Sequence, residues 1–103
     1  MVKKKNKIIL KETILQEAQK IVYGDRQTDY GSVTENFENI ARMWQVILKC
    51  TINPEQVGLC MIAMKITRQL NKSKRDNLVD IAGYAATIEK MEIEERINEK
   101  GSI

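Results

Sequence analysis

The chain has 103 residues, enough for one domain and too few for a second of ordinary size. Its composition, 43% hydrophobic and 30% charged, excludes a disordered polymer, and no apolar run approaches the ~20 residues that cross a bilayer. The formal charge is +3, but Lys3, Lys4, Lys5 and Lys7 crowd the terminus; without them 13 basic residues face 14 acidic ones, an electrostatic footprint that speaks against a nucleic-acid partner.

The opening MVKKKNKIIL is basic but has neither the apolar core nor the cleavage site of a signal peptide, so a cytoplasmic protein without membrane contact is expected. Histidine is absent, which removes any Ser-His or Cys-His nucleophile pair. Cys50 and Cys60 alone do not make a zinc site, and both are expected as small apolar core residues. The expected organisation is a basic tail over 1–7, one helical domain over 8–98 and a short tail over 99–103.

Helical periodicity predicts a first helix from about Ile8 to Tyr23, with Leu10, Ile14, Ala18, Ile21 and Val22 on its inner face. Gly24 sits where a left-handed C-cap is expected. Ser32-Val33-Thr34-Glu35 reads as a capping box opening a second helix, whose inner face is Val33, Phe37, Ile40, Ala41, Trp44, Ile47 and Leu48. Asn53-Pro54-Glu55-Gln56 supplies an N-cap, an N1 proline and an acidic first turn for a third helix ending near Leu70. That helix is apolar nearly all round, which predicts the most buried element. A basic linker over 71–75 leads to a fourth helix starting near Asp76, with Leu78, Ile81, Ala82, Ala85 and Ile88 inward and a Glu92–Arg96 pair beyond. No strand-like alternation occurs. The fold class is therefore all-α, a compact four-helix domain, and so apolar a third helix in so short a chain predicts a homo-oligomer.

Three groups of residues carry candidate chemistry. The loop GDRQTDYG offers glycines for backbone approach to an anion, Arg26 for a phosphate, Tyr30 for a base, and Asp25 and Asp29 as polar partners. Read without a ligand, it is a helix cap, a polar connector and an N-cap lead-in. Lys65 and Arg68 lie one turn apart on the apolar third helix, sharing a face with Met61 and, further on, Lys72, where cations need a partner, a ligand or open solvent. Asp76, Asp80 and Tyr84 share a face of the fourth helix. Asp76 suits an N-cap, whereas Asp80 is placed for a partner such as Arg68, Lys65 or a metal, an Asp80–Arg68 salt bridge being its purely structural account. Asn36, just after the loop, is placed to bond a base or ribose. Glu38 is expected to face water.

The pieces GDRQTDYG, ENFENIARMW, MIAMKITRQL and DNLVDIAGYA resemble a group of small phage and prophage proteins of unassigned function, from about Leu15 to Ile88. That group is in turn distantly similar to the all-α nucleoside triphosphate pyrophosphohydrolases of the MazG kind. The resemblance implies a MazG-like helical bundle, an oligomer, and a nucleotide as the small-molecule partner. MazG-type enzymes hold Mg²⁺ on an E-x-x-E helix and an E-x-x-D helix. Here Asn77 replaces the first carboxylate of the second motif, and Lys65 and Arg68 fall near the first. Cations there repel a metal and attract phosphate.

The expectation is a nucleotide-binding protein that holds or sequesters a nucleotide, or a nucleotide-derived signal of host defence, without hydrolysing it. No cofactor is needed for binding, and a phage-encoded chain would act in the host cytoplasm. The expected nucleotide site is Asp25, Arg26, Asp29, Tyr30, Asn36, Lys65, Arg68, Asp76, Asp80 and Tyr84, with Trp44 as a further contact. Two alternatives remain open. One is a divergent pyrophosphohydrolase whose Mg²⁺ sits on Asp76 and Asp80, with Glu38 as a further ligand. The other is a helical adaptor for another protein.

Overall fold

The computed structural model describes residues 12–24 and 32–101. Among them are four helices and no strand: α1 (Ile14–Tyr23), α2 (Val33–Leu48), α3 (Pro54–Asn71) and α4 (Arg75–Gly101). The helix starts follow local chemistry. Thr13 accepts from the Gln16 amide while the Gln16 side chain accepts from the Thr13 amide, and Asn53 and Gln56 repeat this reciprocal box before Pro54. Of the predicted box at Ser32, the forward half forms: the hydroxyl accepts from the Glu35 amide.

Helix α4 is the hub, packing against α1, α2 and α3, while α2 also packs on α3. The core is Val33, Phe37 and Ala41 of α2, Val57 of α3 and Met91 of α4, flanked by half-buried Ile40, Trp44, Ile52, Tyr84 and Ile88. A separate contact seats Val22 of α1 beside Gly83 of α4, with Ala18 of α1 also buried. Buried polar groups are satisfied. The Thr87 hydroxyl donates to the Gly83 carbonyl at 2.9 Å, and Lys90 donates to the Val22 carbonyl at 3.1 Å.

Several expectations are corrected. Helix α3 is not the most buried element: Val57 and Gly58 are buried, but Leu59, Cys60, Ala63, Met64 and Ile66 are exposed. A helix that meets neighbours on one side only leaves its other side to solvent, whatever its composition. Cys60, on that open side, and Cys50, in the connection between α2 and α3, are therefore exposed rather than core residues. Ile47 and Leu48 occupy the expected face of α2 but remain exposed. On α4 the buried positions are Asn77, Val79, Thr87, Lys90 and Met91, whereas Leu78 and Ala85 are exposed. A helix packed from two directions has no single inner stripe. Ile21 is likewise exposed, and Leu10 lies outside the described residues.

Gly24 is not left-handed, with φ −109° and ψ −122°. Its reason is steric: a Cβ there would lie 2.4 Å from the Lys20 carbonyl oxygen. Helix α4 begins at Arg75, so Asp76 stands in its first turn rather than capping it, where a carboxylate still suits the helix dipole. Glu92 and Arg96 do not close an ion pair among the described residues.

Gly58 permits a close approach of α3 to α4. A Cβ at this position would lie 2.7 Å from Cγ1 and 2.9 Å from Cδ1 of Ile88. Gly58→Ala is therefore expected to destabilise the fold by about 1–3 kcal/mol through overpacking, despite alanine's better helix propensity. Urea denaturation of the variant checks this, and a gain in stability would show that Ile88 yields freely.

Candidate functional site

The corner where α3 turns into α4 is built by two amides. The Gln69 side chain donates to the Ser73 hydroxyl at 3.0 Å and accepts from the Lys74 amide at 2.9 Å. It also accepts from the buried Asn77 side chain at 3.1 Å, which donates in addition to the Lys72 carbonyl at 3.4 Å. Asn77 is thus a turn-holding residue that neutral amide chemistry suits. A carboxylate in its place could not donate either bond.

This turn presents a groove of about 650 Å³ lined by Lys65, Thr67, Arg68, Asn71, Lys72, Lys74, Asp76, Asn77 and Asp80. Four cations face two carboxylates, leaving the walls at +2. Lys65 and Asp80 pair at 2.8 Å, with Lys65 the more buried of the two. Of the partners that the sequence offered Asp80, Lys65 rather than Arg68 makes the salt bridge. Residues 65 and 68 both approach this side of α3, and the register of α3 against α4 selects Lys65. Arg68, Lys72 and Lys74 have no ion-pair partner among the described residues.

The structure thus brings Lys65, Arg68, Lys72, Asp76 and Asp80 to one groove, and adds Lys74. It places Tyr84 elsewhere, half-buried against the core and beside a small apolar cavity of about 60 Å³ whose wall includes Asp80, Phe37 and Gly83. Asn36 is half-buried on α2 and does not line the groove. Trp44 packs on the core. Asp25, Arg26, Asp29 and Tyr30 lie outside the described residues.

Glu38 does not join Asp76 and Asp80. It lines a different groove of about 640 Å³ with Glu55, Glu92, Glu95 and Glu99. Among the described residues, no three or more Asp, Glu, Cys or His side chains converge tightly enough to hold a metal ion.

The sequence reading missed Lys90. Its buried ammonium donates to the Val22 carbonyl and lies 4.9 Å from the centre of the Tyr23 ring, securing the last turn of α1 just before residues 25–31. Burial, with help from Glu89 and Glu94, pushes the Tyr23 phenol above the ordinary tyrosine range. At the other end of α1, Arg75 bonds the Glu17 carboxylate and donates to the Glu12 carbonyl at 3.0 Å. In the sequence Lys90 follows Glu89 at the start of the charged end of α4 and gives no local sign of its partner, a backbone carbonyl 68 residues away.

Residues 13–92, spanning the core and the whole basic groove, match the family described as a domain of unknown function, DUF6378. The chain belongs to the DUF6378 family. It is 42% identical to the Gene 55 protein of Mycobacterium phage L5 over 85 residues, which are 81% of this chain and 54% of that protein. It is 39% identical to the Gene 55 protein of Mycobacterium phage D29 over 83 residues, 80% of this chain and 55% of that protein. The chain therefore spans about half the length of these phage relatives. No solved structure matches it. DUF6378 membership and the phage relatives agree with the resemblance to small phage proteins of unassigned function.

Proposed function

We propose that this DUF6378 protein binds a nucleotide through its phosphates in the α3–α4 groove, without hydrolysing it. The carrying observation is the convergence of Arg68, Lys72 and Lys74, unpaired among the described residues, on one groove. Its size, about 650 Å³, falls within the range of small-molecule pockets. The Arg68 guanidinium forks onto phosphate oxygens, and the two lysines act as point charges. Arg26 and Tyr30 of the GDRQTDYG loop, with Asp25 and Asp29, complete the recognition of phosphate and base in this reading. Sequestration of a nucleotide signal in the host cytoplasm, or a part in nucleotide metabolism, follows from the phage relatives as a proposal.

The Mg²⁺-dependent reading fits the residues poorly. Asp80 is already engaged by Lys65, Asp76 stands among lysines, and Glu38 lines another groove. A hard divalent cation needs several oxygen ligands without four competing cations.

The test incubates the protein with ribo-, deoxyribo- and cyclic nucleotides plus Mg²⁺, then identifies by mass spectrometry what the washed protein releases. Intact nucleotide is expected from the protein, and monophosphate with pyrophosphate in solution would overturn the reading. Asp80→Asn sharpens it. Removing the carboxylate frees Lys65 and makes the groove more positive, so affinity is expected to rise roughly 3–10-fold, the effect of about one weakly screened charge. A hydrolase using Asp80 would instead lose turnover.

A further inference from the structure

The small cavity of about 60 Å³ is walled by Val22 of α1, Phe37 of α2, and Val79, Gly83, Tyr84 and Thr87 of α4. Asp80 belongs both to this wall and to that of the basic groove, so the two spaces meet at that residue. Along α4, Asp76 of the groove and Tyr84 of the cavity stand one turn to either side of Asp80, about 6 Å each way. The cations Arg68, Lys72 and Lys74 lie towards the turn. A molecule laid along this line meets positive charge, then carboxylates, then an apolar recess. That is the order in which a nucleotide presents phosphate, sugar and base.

Gly83 gives an independent sign that the recess is kept open. Glycine is a poorer helix former than alanine, and Gly83 stands inside α4. At Gly58 packing requires it, but a Cβ at Gly83 would meet Cγ2 of Val22 at 3.8 Å, an ordinary contact. Packing therefore does not call for a glycine here, and the missing methyl group is space in the cavity wall. Thr87 adds a polar edge. Its hydroxyl donates to the Gly83 carbonyl at 2.9 Å, so its oxygen meets a ligand as an acceptor.

We propose that this cavity is the base subsite of the nucleotide held in the groove and that it takes a pyrimidine, an inference that rests on the nucleotide reading of the groove. Size makes the choice. The cavity has room for roughly four or five waters, the bulk of one six-membered ring with its substituents, and the second ring of a purine overfills it. Uracil and cytosine each carry an N–H on the edge away from the sugar, which matches the Thr87 oxygen.

Nuclear magnetic resonance titration of the full chain with UTP and with inorganic pyrophosphate tests the subsite. Both are expected to shift the amides of residues 68–74, and UTP alone those of Val22, Gly83 and Thr87. Calorimetry is expected to give UTP at least about tenfold tighter binding than ATP. Gly83→Ala places a methyl group in the recess and is expected to weaken UTP about tenfold, with pyrophosphate affinity and melting temperature retained. UTP shifts confined to the groove, ATP binding as tightly as UTP, or UTP affinity unchanged in Gly83→Ala would each overturn the base subsite and leave the phosphate groove standing. If neither UTP nor pyrophosphate moves the groove amides, the nucleotide reading falls and the subsite falls with it.

Discussion

Replacing Arg68 and Lys72 together by alanine is expected to weaken nucleotide binding roughly 30–100-fold while leaving the melting temperature nearly unchanged. Each side chain would supply a charge-assisted hydrogen bond to phosphate, and such bonds contribute about 1–1.5 kcal/mol each where water competes. Both side chains are exposed and have no ion-pair partner among the described residues, so truncation removes no structural contact. The loss should shrink as salt is raised, since an open groove is screened over a distance of about 8–10 Å. Isothermal titration with the nucleotide retained from the panel measures the effect. Equal affinity of variant and wild type would move the phosphate site away from the α3–α4 corner. Lys65→Ala would be a poorer probe, because it also leaves Asp80 without its partner.

The largest effect on stability is expected from Phe37→Ala, about 3–5 kcal/mol. Phe37 is the chain's one phenylalanine and is 3% exposed. Its ring edge lies against Gly58, and it shares a cavity wall with Val22 of α1 and Tyr84 of α4. One ring therefore joins elements from all four helices, and no neighbour can collapse into the space without disturbing another. A domain of this length has about 5–15 kcal/mol in total, so the variant should melt roughly 15–30 °C lower or be partly unfolded at 37 °C. Differential scanning calorimetry decides it. Ile47→Ala, at an exposed position on the same helix, is the matched control and should change stability by no more than about 0.5 kcal/mol.

The two predictions separate what folds the chain from what equips it. Phe37 acts through burial, and the groove acts through residues that burial has left alone. Gln69 and Asn77 lie between these roles. Their amides hold the 72–75 turn and so place Lys72, which shares the face of Lys65 and Arg68, together with Lys74, which the sequence showed only as part of a basic linker.

Helix starts were legible because their chemistry is local. A cap joins residues three apart, so Ser32 with Glu35 and Asn53 with Pro54 and Gln56 could be read without any fold. The inner face of α2 was legible at Val33, Phe37 and Ala41, where the helix lies on its neighbours, and misleading at Ile47 and Leu48, where the apolar pattern continues but no described element covers it. The candidate groove was legible in part: Lys65, Arg68, Asp76 and Asp80 do meet, although Tyr84 and Asn36 do not line it.

The sequence by itself determined an all-helical chain, three of its four helix starts to within a residue, and the presence of cations and carboxylates at helical spacing on adjoining segments. Those properties depend on interactions within one or two turns. Tertiary structure alone decided which side of α3 is buried, since a helix apolar on every side has no periodicity to point inward. It also decided that Lys65 rather than Arg68 takes Asp80, and that Lys90 bonds the end of α1. Each of those outcomes depends on the rotation and register of one helix against another, set by the summed packing of many side chains rather than by any local motif.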